Sequence, residues 1–425
     1  MSATWQVCAS CGSEIPETDP HPRCPNCRGL LEVRHRPPAQ GGPALRATFD
    51  ARWGVRRGTL ASGVWRYHEA VLPTASTPEI LSSFEGNTPL VASAAVAAWV
   101  GASELLLKHE GQNPTGSFKD RGMTVGVTQA RRISARAVAC ASTGNTAAAL
   151  AAYAALAGLP ALVLVPHGHI AAGKLAQALA YGARTLLVRG SFDQCLELAD
   201  QASERLGVYL LNSVNPFRLE GQKTIVLELL QQLGWEPPDW IVLPAGNLGN
   251  MAAFGKALAE ACAWGLIDRL PRLAAVQAEG AAPFAQSFRE GFRERHRVEP
   301  HTIATAIRIG NPVSYDRAVR AVRDTNGVVT TVTDAEILEA KAVVDAAGIG
   351  CEPASAAAPA GAQRLIGEGV IRRGERVVAV LTGHVLKDPA SVTEYHEALE
   401  PRPPRANRPV AIEPRLEEVE RAMKR

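Results

Sequence analysis

The stretch AVACASTGNTAAA, residues 137–149, decides how the rest of the chain is interpreted. Its first five residues form a short apolar run of the length of a buried strand. A polar turn with one glycine follows, and an alanine-rich segment of helical character comes directly after that turn. Strand, turn and helix in this order are the repeating unit of an α/β protein with a parallel sheet.

The same unit recurs along the chain. Seven further apolar runs suit buried strands: ELLLK (104–108), ALVLV (161–165), RTLLV (184–188), VYLL (208–211), WIVLP (240–244), LAAVQA (273–278) and RVVAVL (376–381). Longer stretches rich in Ala, Leu, Gln and Glu lie between most of them. This alternation predicts an α/β fold of mostly parallel sheets covered by helices. Ligands of such sheets gather at the carboxyl ends of the strands.

The length, composition and net charge of the chain limit the classes of function that it can have. A chain of 425 residues with 46% hydrophobic and 20% charged residues is typical of a globular enzyme with two to three domains. The net charge of +3, from 45 basic and 42 acidic residues, gives no reason to expect a nucleic acid or a membrane surface as partner. The N-terminus lacks a secretory apolar segment, so we expect a cytoplasmic location.

Four of the eight cysteines form a pattern near the N-terminus. Cys8 and Cys11 make one C-x2-C pair, and Cys24 and Cys27 make a second pair after twelve residues. Two such pairs are typical of a structural zinc ribbon, with two disulfides or a redox pair as the alternatives. The other cysteines have apolar surroundings and are expected to pack as small hydrophobic residues: Cys140, Cys195, Cys262 and Cys351.

The segment NPTGSFKDRG (113–122) places Lys119 where the chain becomes helical. A helix N-terminus carries partial positive charge, so a full cation is unfavourable there. Either this is an exposed lysine at a helix start, or its function requires an amine without its full charge.

Three other glycine-bearing turns follow predicted strands. STGNTAAA (142–149) offers hydroxyls and an amide to an anion, or simply caps a helix. PAGNLGN (244–250) can form a phosphate nest or a tight turn, and it is neither G-x-G-x-x-G nor a P-loop. LTGHVLKDP (381–389) holds Thr382, which can meet a heteroatom of a bound ring or act as a polar turn residue.

Taken together, the four turns indicate a pyridoxal phosphate site. That cofactor has a phosphate, an aldehyde and a pyridine nitrogen. A phosphate nest, a lysine and a hydroxyl match these three groups. Lys119 is then a covalent anchor that forms a Schiff base with the aldehyde.

A family resemblance extends over most of the chain. The motifs that carry it are EGNTPL (85–90), NPTGSFKDRG, STGNTAAA, NSVNPFRLEGQKT (212–224), PAGNLGN, AIRIGNPVS (306–314), CEPASAA (351–357) and LTGHVLKDP. They resemble those of threonine synthases, which are fold type II (tryptophan synthase β-like) pyridoxal phosphate enzymes. The four-cysteine segment is similar to modules on some threonine synthases.

The resemblance implies two mostly parallel three-layer α/β/α domains and a small zinc ribbon. The expected ranges are 1–35 for the zinc-ribbon-like module, 36–136 with 215–400 for the large cofactor domain, 137–214 for the smaller inserted domain and 401–425 for a tail. It also implies a homodimer.

Residue roles follow from the same resemblance. Lys119 is the Schiff-base lysine, Asn145 binds the cofactor's 3′-oxygen and Thr382 faces the pyridine nitrogen. The cofactor phosphate is held by Gly246, Asn247, Leu248, Gly249 and Asn250. The substrate carboxylate is expected at Ser142, Thr143 and Thr146. The candidates for the substrate phosphate are Lys174, Arg184, Asn215 and Arg218, with Lys223 nearby in the sequence. Glu352 lies in a shared motif and receives no role.

The implied reaction converts O-phospho-L-homoserine and water into L-threonine and phosphate, which makes the enzyme a carbon–oxygen lyase acting on phosphate. Phosphate leaves Cγ and water adds at Cβ. Related alternatives are a serine/threonine dehydratase and a cysteate synthase-like β-replacement enzyme. An alternative from another class is a zinc-ribbon binding protein on a scaffold that has lost its activity. The presence of a suitable residue at every cofactor position argues against the last alternative.

Overall fold

The computed structural model describes residues 3–168 and 172–423, apart from the side chains of residues 172–174. The strands are β1 Thr4–Cys8, β2 Glu14–Pro16, β3 Leu31–His35, β4 Leu90–Ala92, β5 Glu104–His109, β6 Ala137–Ala141, β7 Ala161–Pro166, β8 Arg184–Val188, β9 Val208–Leu210, β10 Trp240–Pro244, β11 Arg272–Ala278, β12 Val328–Val332 and β13 Arg376–Leu381. The helices are α1 Gly42–Trp53, α2 His68–Val71, α3 Ala94–Val100, α4 Lys119–Arg132, α5 Asn145–Ala157, α6 Ala172–Ala180, α7 Phe192–Leu206, α8 Pro216–Gln222, α9 Thr224–Gln232, α10 Gly249–Ala263, α11 Pro283–Arg289, α12 Tyr315–Asp324, α13 Asp334–Ala346, α14 Pro353–Gly367, α15 Pro389–Thr393 and α16 Leu416–Met423.

The strands form three sheets. The large sheet has the order β12-β11-β10-β13-β5-β4, and it is parallel except for β4. The small sheet has the order β8-β7-β6-β9 and is parallel throughout. The N-terminal sheet, β2-β1-β3, is antiparallel. The predicted α/β class with mostly parallel sheets is confirmed.

The central strands of both parallel sheets are buried on both faces. In β10, Ile241 and Leu243 belong to one apolar core, whereas Trp240 and Val242 belong to the core on the opposite face. The residues of β6 divide between two cores in the same alternating manner. Because successive side chains of a strand point to opposite faces, helices cover each sheet from both sides and form three layers.

The N-terminal sheet packs on the helices that surround the large sheet. Its strand β3 lies against α8, where His35 Nε2 is 3.0 Å from Glu220 Oε2 and both side chains are almost fully buried. Lys256 Nζ of α10 donates to the carbonyl of Val33 at 2.7 Å. These buried polar contacts therefore hold β3 against the helices of the large sheet.

The four cysteines outside the N-terminal pattern differ in burial. Three of the four scattered cysteines are buried as predicted, but Cys262 is exposed because it lies on the outer side of α10.

Among the described residues, no helix is both long and apolar enough to cross a membrane.

Candidate active site

The loop before α4 is paired with the turn after β13. Ser117 and Gly383 form an antiparallel bridge, and the N–H of Phe118 donates to the carbonyl of Thr382 at 3.0 Å. The N–H of His384 donates to the carbonyl of Gly116 at 2.9 Å. Two of the four glycine-bearing turns therefore meet at the carboxyl ends of neighbouring strands, as the fold class requires.

Asp120 holds the shape of this loop. Its carboxylate accepts the N–H of Thr115 at 2.7 Å and also the hydroxyl of Thr115. The side chain is buried, and burial raises the pKa of Asp120 to about 7. Asp120 is thus turned back onto the loop, and its neighbour Lys119 begins α4.

Lys119 occupies an environment that disfavours a cation. Burial lowers the pKa of Lys119 to about 7, with a further contribution from the positive charge of Arg218, while Glu352 acts in the opposite direction. Its Nζ lies 4.2 Å from the centre of the Phe118 ring. A substantial fraction of the side chain is therefore a neutral amine near neutral pH, the form that attacks an aldehyde.

Glycines bring Arg218 close to Lys119. A Cβ at Gly122 of α4 would lie 2.9 Å from the carbonyl of Arg218, and a Cβ at Gly221 of α8 would lie 1.7 Å from the carbonyl of Arg121. The two helices can touch only because these positions carry no side chain. Arg218 is thereby buried beside the lysine.

The guanidinium of Arg218 keeps part of its binding capacity free. Its Nη1 donates to the carbonyl of Leu211 at 3.1 Å, but its Nε and Nη2 have no partner among the described residues. Burial lowers the pKa of Arg218 to about 10. A buried cation with unused donors is costly unless an anion pairs with it. The site therefore fits a phosphate or carboxylate group.

The turn after β10 has the geometry of an anion nest. Leu248 adopts a left-handed conformation with φ of 62°, and no side chain caps the helix α10 that begins at Gly249. Asn247 supports the turn, since it donates to Ser213 Oγ at 3.1 Å and accepts the N–H of Val313 at 2.8 Å. The buried Oδ1 of Asn250 has no partner among the described residues. These residues fit the phosphate of pyridoxal phosphate.

The turn after β6 contributes Asn145, the first residue of α5. Asn145 Nδ2 lies 3.2 Å and 3.0 Å from the two carboxylate oxygens of Glu352. Ser142, Thr143 and Thr146 are half-buried around this helix start, and Ser142 Oγ accepts the N–H of Gly144 at 3.3 Å. Sequence analysis assigned no role to Glu352, and its contact with Asn145 places it in the site.

Thr382 lies at the end of β13 and is almost fully buried. Its Oγ1 is 3.0 Å from Ser355 Oγ of α14. Ser355 also accepts the N–H of Gly383 at 2.9 Å. The hydroxyl pair places a neutral group, not a carboxylate, at this strand end.

Two candidates for the substrate phosphate are not brought to the site. Arg184 is exposed at the amino end of β8, whereas the other groups lie at carboxyl ends. Asn215 caps α8 by accepting the N–H groups of Phe217 and Arg218, and its Nδ2 donates to Leu210. Arg184 is therefore at the opposite end of its strand from the glycine-bearing turns, and the side chain of Asn215 is used for capping.

The other two lysines considered for the substrate phosphate are Lys223 and Lys174. Lys223 is paired with Glu220 and with Glu260 at 2.7 Å, so it serves a buried ion network. Lys174 lies outside the residues whose side chains are described.

The four N-terminal cysteines form a compact cluster of free thiols. Cys8 Sγ lies 3.4 Å from Cys27 Sγ, and Cys11 Sγ lies 3.7 Å from Cys24 Sγ. All four sulfurs lie within 4.8 Å of one another. Tetrahedral zinc with bonds of about 2.3 Å needs sulfurs about 3.8 Å apart, so the cluster fits a zinc ion.

The family follows from comparison with known proteins. Residues 81–383 match the family described as pyridoxal-phosphate dependent enzyme. The chain therefore belongs to the pyridoxal-phosphate dependent enzyme family.

Curated relatives define the group more narrowly. A threonine synthase from Methanosarcina acetivorans is 45% identical over 392 residues, covering 92% of this chain and 94% of the relative. A threonine synthase from Methanocaldococcus jannaschii is 49% identical over 337 residues, covering 79% of this chain and 83% of the relative.

Solved structures share the fold. Threonine synthase from Escherichia coli superposes with a TM-score of 0.71 at 18% identity, covering 95% of this chain and 93% of the other. Maize serine racemase gives a TM-score of 0.63 at 24% identity, covering 76% and 92%. The fold therefore carries more than one activity, and the substrate must be inferred from the site.

Proposed function

We propose that this enzyme is a threonine synthase, which converts O-phospho-L-homoserine and water into L-threonine and phosphate. High identity to threonine synthases over most of the chain supports this activity. The observation that supports this substrate is the buried guanidinium of Arg218 near Lys119, two of whose nitrogens have no partner in the part of the chain that the structure describes. A phosphorylated side chain would pair with these donors, because phosphate binds guanidinium in two parallel hydrogen bonds.

The site residues have the following proposed roles. Lys119 anchors pyridoxal phosphate covalently and, once released, moves protons at Cα and Cβ of the substrate. Asn145 binds the 3′-oxygen, residues 246–250 hold the cofactor phosphate, and Ser142, Thr143 and Thr146 bind the substrate carboxylate. When bound, the cofactor supplies an electron sink for the bond broken at Cα.

Thr382 is proposed to face the pyridine nitrogen. Its hydroxyl is shared with Ser355 at 3.0 Å. A neutral hydroxyl does not enforce a protonated ring, as a carboxylate would. We infer that this limits stabilisation of negative charge at Cα and leaves the electrons available for loss of phosphate from Cγ.

Four further features are proposed. The thiol cluster holds one structural zinc ion, which its sulfur spacing supports. The free thiols also support a reducing, cytoplasmic location. Apart from the 401–425 tail, the domain ranges predicted above each contain one of the three sheets, which supports that division. The homodimer remains a prediction, and sedimentation of the purified protein will test it.

One assay separates this activity from the related alternatives. The enzyme is given O-phospho-L-homoserine, and phosphate and threonine are measured; serine is supplied in parallel, and keto acid is measured. We expect phosphate and threonine in equal amounts. Faster formation of keto acid from serine would identify a dehydratase instead.

A further inference from the structure

Asn145 and Glu352 connect the two parallel sheets. Asn145 begins α5, which follows β6 of the small sheet. Glu352 immediately precedes α14, which packs on the strands of the large sheet. The distances of 3.2 Å and 3.0 Å from Asn145 Nδ2 put one amide nitrogen against both carboxylate oxygens. The contact is therefore a polar link between elements far apart in the sequence.

Glu352 does not serve its own helix. It is the N-cap residue of α14, yet its side chain makes no capping hydrogen bond. An oxygen-bearing side chain at this position normally accepts an N–H of the first turn. The carboxylate is directed to Asn145 instead, so its role lies in the site.

The turn after β13 fixes where the carboxylate lies. The N–H of Glu352 donates to the carbonyl of Gly383 at 3.1 Å. A Cβ at Gly383 would lie 2.5 Å from Glu352 Oε1, so only glycine leaves room for this carboxylate. Thr382 precedes this glycine directly. The same turn therefore holds both Thr382 and the acceptor of Asn145.

A carboxylate determines which end of an amide faces it. An ionised carboxylate only accepts hydrogen bonds, whereas the amide has two N–H groups on one atom and an oxygen on the other. Burial raises the pKa of Glu352, whereas the hydrogen bond from Asn145 lowers it. In its ionised form, Glu352 selects the orientation in which Nδ2 of Asn145 faces it. Glu352 is buried and Asn145 is half-buried, so the contact is largely shielded from solvent and is stronger than one at the surface.

We propose that Glu352 is a positioning residue that orients the amide of Asn145, and that it affects pyridoxal phosphate binding only through this amide. The inference rests on the proposed role of Asn145 as a cofactor contact. It adds a residue to which the sequence assigned no function.

A double-mutant cycle on cofactor affinity tests the inference. The dissociation constant of pyridoxal phosphate is measured for the full-length protein and for Glu352→Ala, Asn145→Ala and the double variant. We expect each single change to raise the constant about tenfold, as for the loss of one buried hydrogen bond. The double variant should match Asn145→Ala, because the two residues act as a unit. Multiplied effects, or no effect of Glu352→Ala alone, would overturn the inference.

A conservative variant separates hydrogen bonding from charge. Glu352→Gln keeps an oxygen that can accept the N–H of Asn145, so its dissociation constant should stay within about threefold of the unchanged protein. A Gln variant as weak as Ala would contradict the positioning role. Glu368→Ala, an exposed carboxylate just past the other end of α14, is the matched control and should change nothing.

The experiment depends neither on the folding of one variant nor on catalytic turnover. If Glu352→Ala does not fold, Glu352→Asp, which shortens the side chain by one methylene, takes its place in the cycle. The readout is cofactor affinity and requires no turnover. A coupled cycle in a protein that releases no threonine would refute the proposed function and leave this inference standing.

Discussion

The N–H of Phe118 donates to the carbonyl of Thr382 at 3.0 Å, and this bond joins the two ends of the site. The residue after Phe118 is Lys119, the proposed anchor of the aldehyde, and Thr382 is the proposed partner of the ring nitrogen. The distance between these two functions is therefore set by backbone pairing, which is more rigid than contacts between side chains alone.

Arg218→Ala should weaken binding of the phosphorylated substrate. The change removes the buried donors that lack a partner, so we expect KM for O-phospho-L-homoserine to rise about tenfold or more. The visible absorbance of the bound cofactor should not change. Arg184→Ala is the control, since Arg184 is exposed at the amino end of β8. An equal rise in KM for both variants would contradict the assignment.

The pH dependence of cofactor capture should report the pKa of Lys119. Burial and Arg218 lower this pKa to about 7, so the neutral amine predominates above that pH. The rate at which the cofactor-free protein acquires visible absorbance should rise with pH up to about 7 and then level off. A rate that continues to rise tenfold per pH unit toward pH 9 would indicate an ordinary lysine with a pKa near 10.4.

Cys24→Ser should release zinc and destabilise the chain. The purified protein should contain one zinc ion per chain, and the variant should lose at least about 2 kcal/mol in free energy of unfolding, since zinc binding is coupled to folding. Cys262→Ser is the control because that exposed thiol lies outside the cluster. Metal analysis that finds no zinc, with mass spectrometry that finds disulfides, would contradict the zinc ribbon.

Glu228→Ala should be among the most destabilising single changes. Its carboxylate accepts hydrogen bonds from Lys108 at 2.6 Å, from Arg121 at 2.8 Å and from Arg66 at 2.9 Å, and all four groups are buried. Removing it leaves three buried cations short of an anion, which costs about 3–5 kcal/mol. Urea unfolding measures this cost.

The pH dependence of stability and a variant at an exposed carboxylate provide two further tests of the role of Glu228. These cations hold the pKa of Glu228 well below its usual range, although burial opposes them. Its contribution to stability is therefore full above pH 4.5 and is lost as the pH falls below that value. Glu236→Ala, with a side chain 81% exposed, should change the free energy of unfolding little. Equal losses for the two variants would contradict the role of the buried cluster.

Most strands with a continuous apolar run were predictable from the sequence, and strands without one were not. All eight apolar runs coincide with strands to within one residue at either end. The strands missed in the large sheet, β4 and β12, are at its two edges, where β12 (VVTTV) carries threonines on partly exposed positions. An edge strand can be as short as the three residues of β4 or carry polar residues, as β12 does, and the apolar pattern then does not detect it.

The parts of the site that backbone turns form were predictable from the sequence, and the parts that depend on contacts between side chains were less so. The turns at Lys119 and 246–250 follow strands of the large sheet, and the turn at Asn145 follows a strand of the small sheet, so each lies at the carboxyl edge of its own sheet. The sequence could not reveal that Asn215 is used as a helix cap, because that depends on where α8 begins. The contact of Glu352 with Asn145 joins residues 207 positions apart, and no sequence spacing encodes it.

The central claim is that Lys119 is the residue that binds pyridoxal phosphate covalently, and borohydride reduction tests it most directly. Reduction fixes the cofactor on the lysine that holds it, and peptide mapping then locates the label. We expect one label per chain, on Lys119 in the peptide that contains NPTGSFKDRG, and no label in Lys119→Ala. A label on Lys108, Lys223 or any other lysine, or retention of the label in Lys119→Ala, would contradict the account.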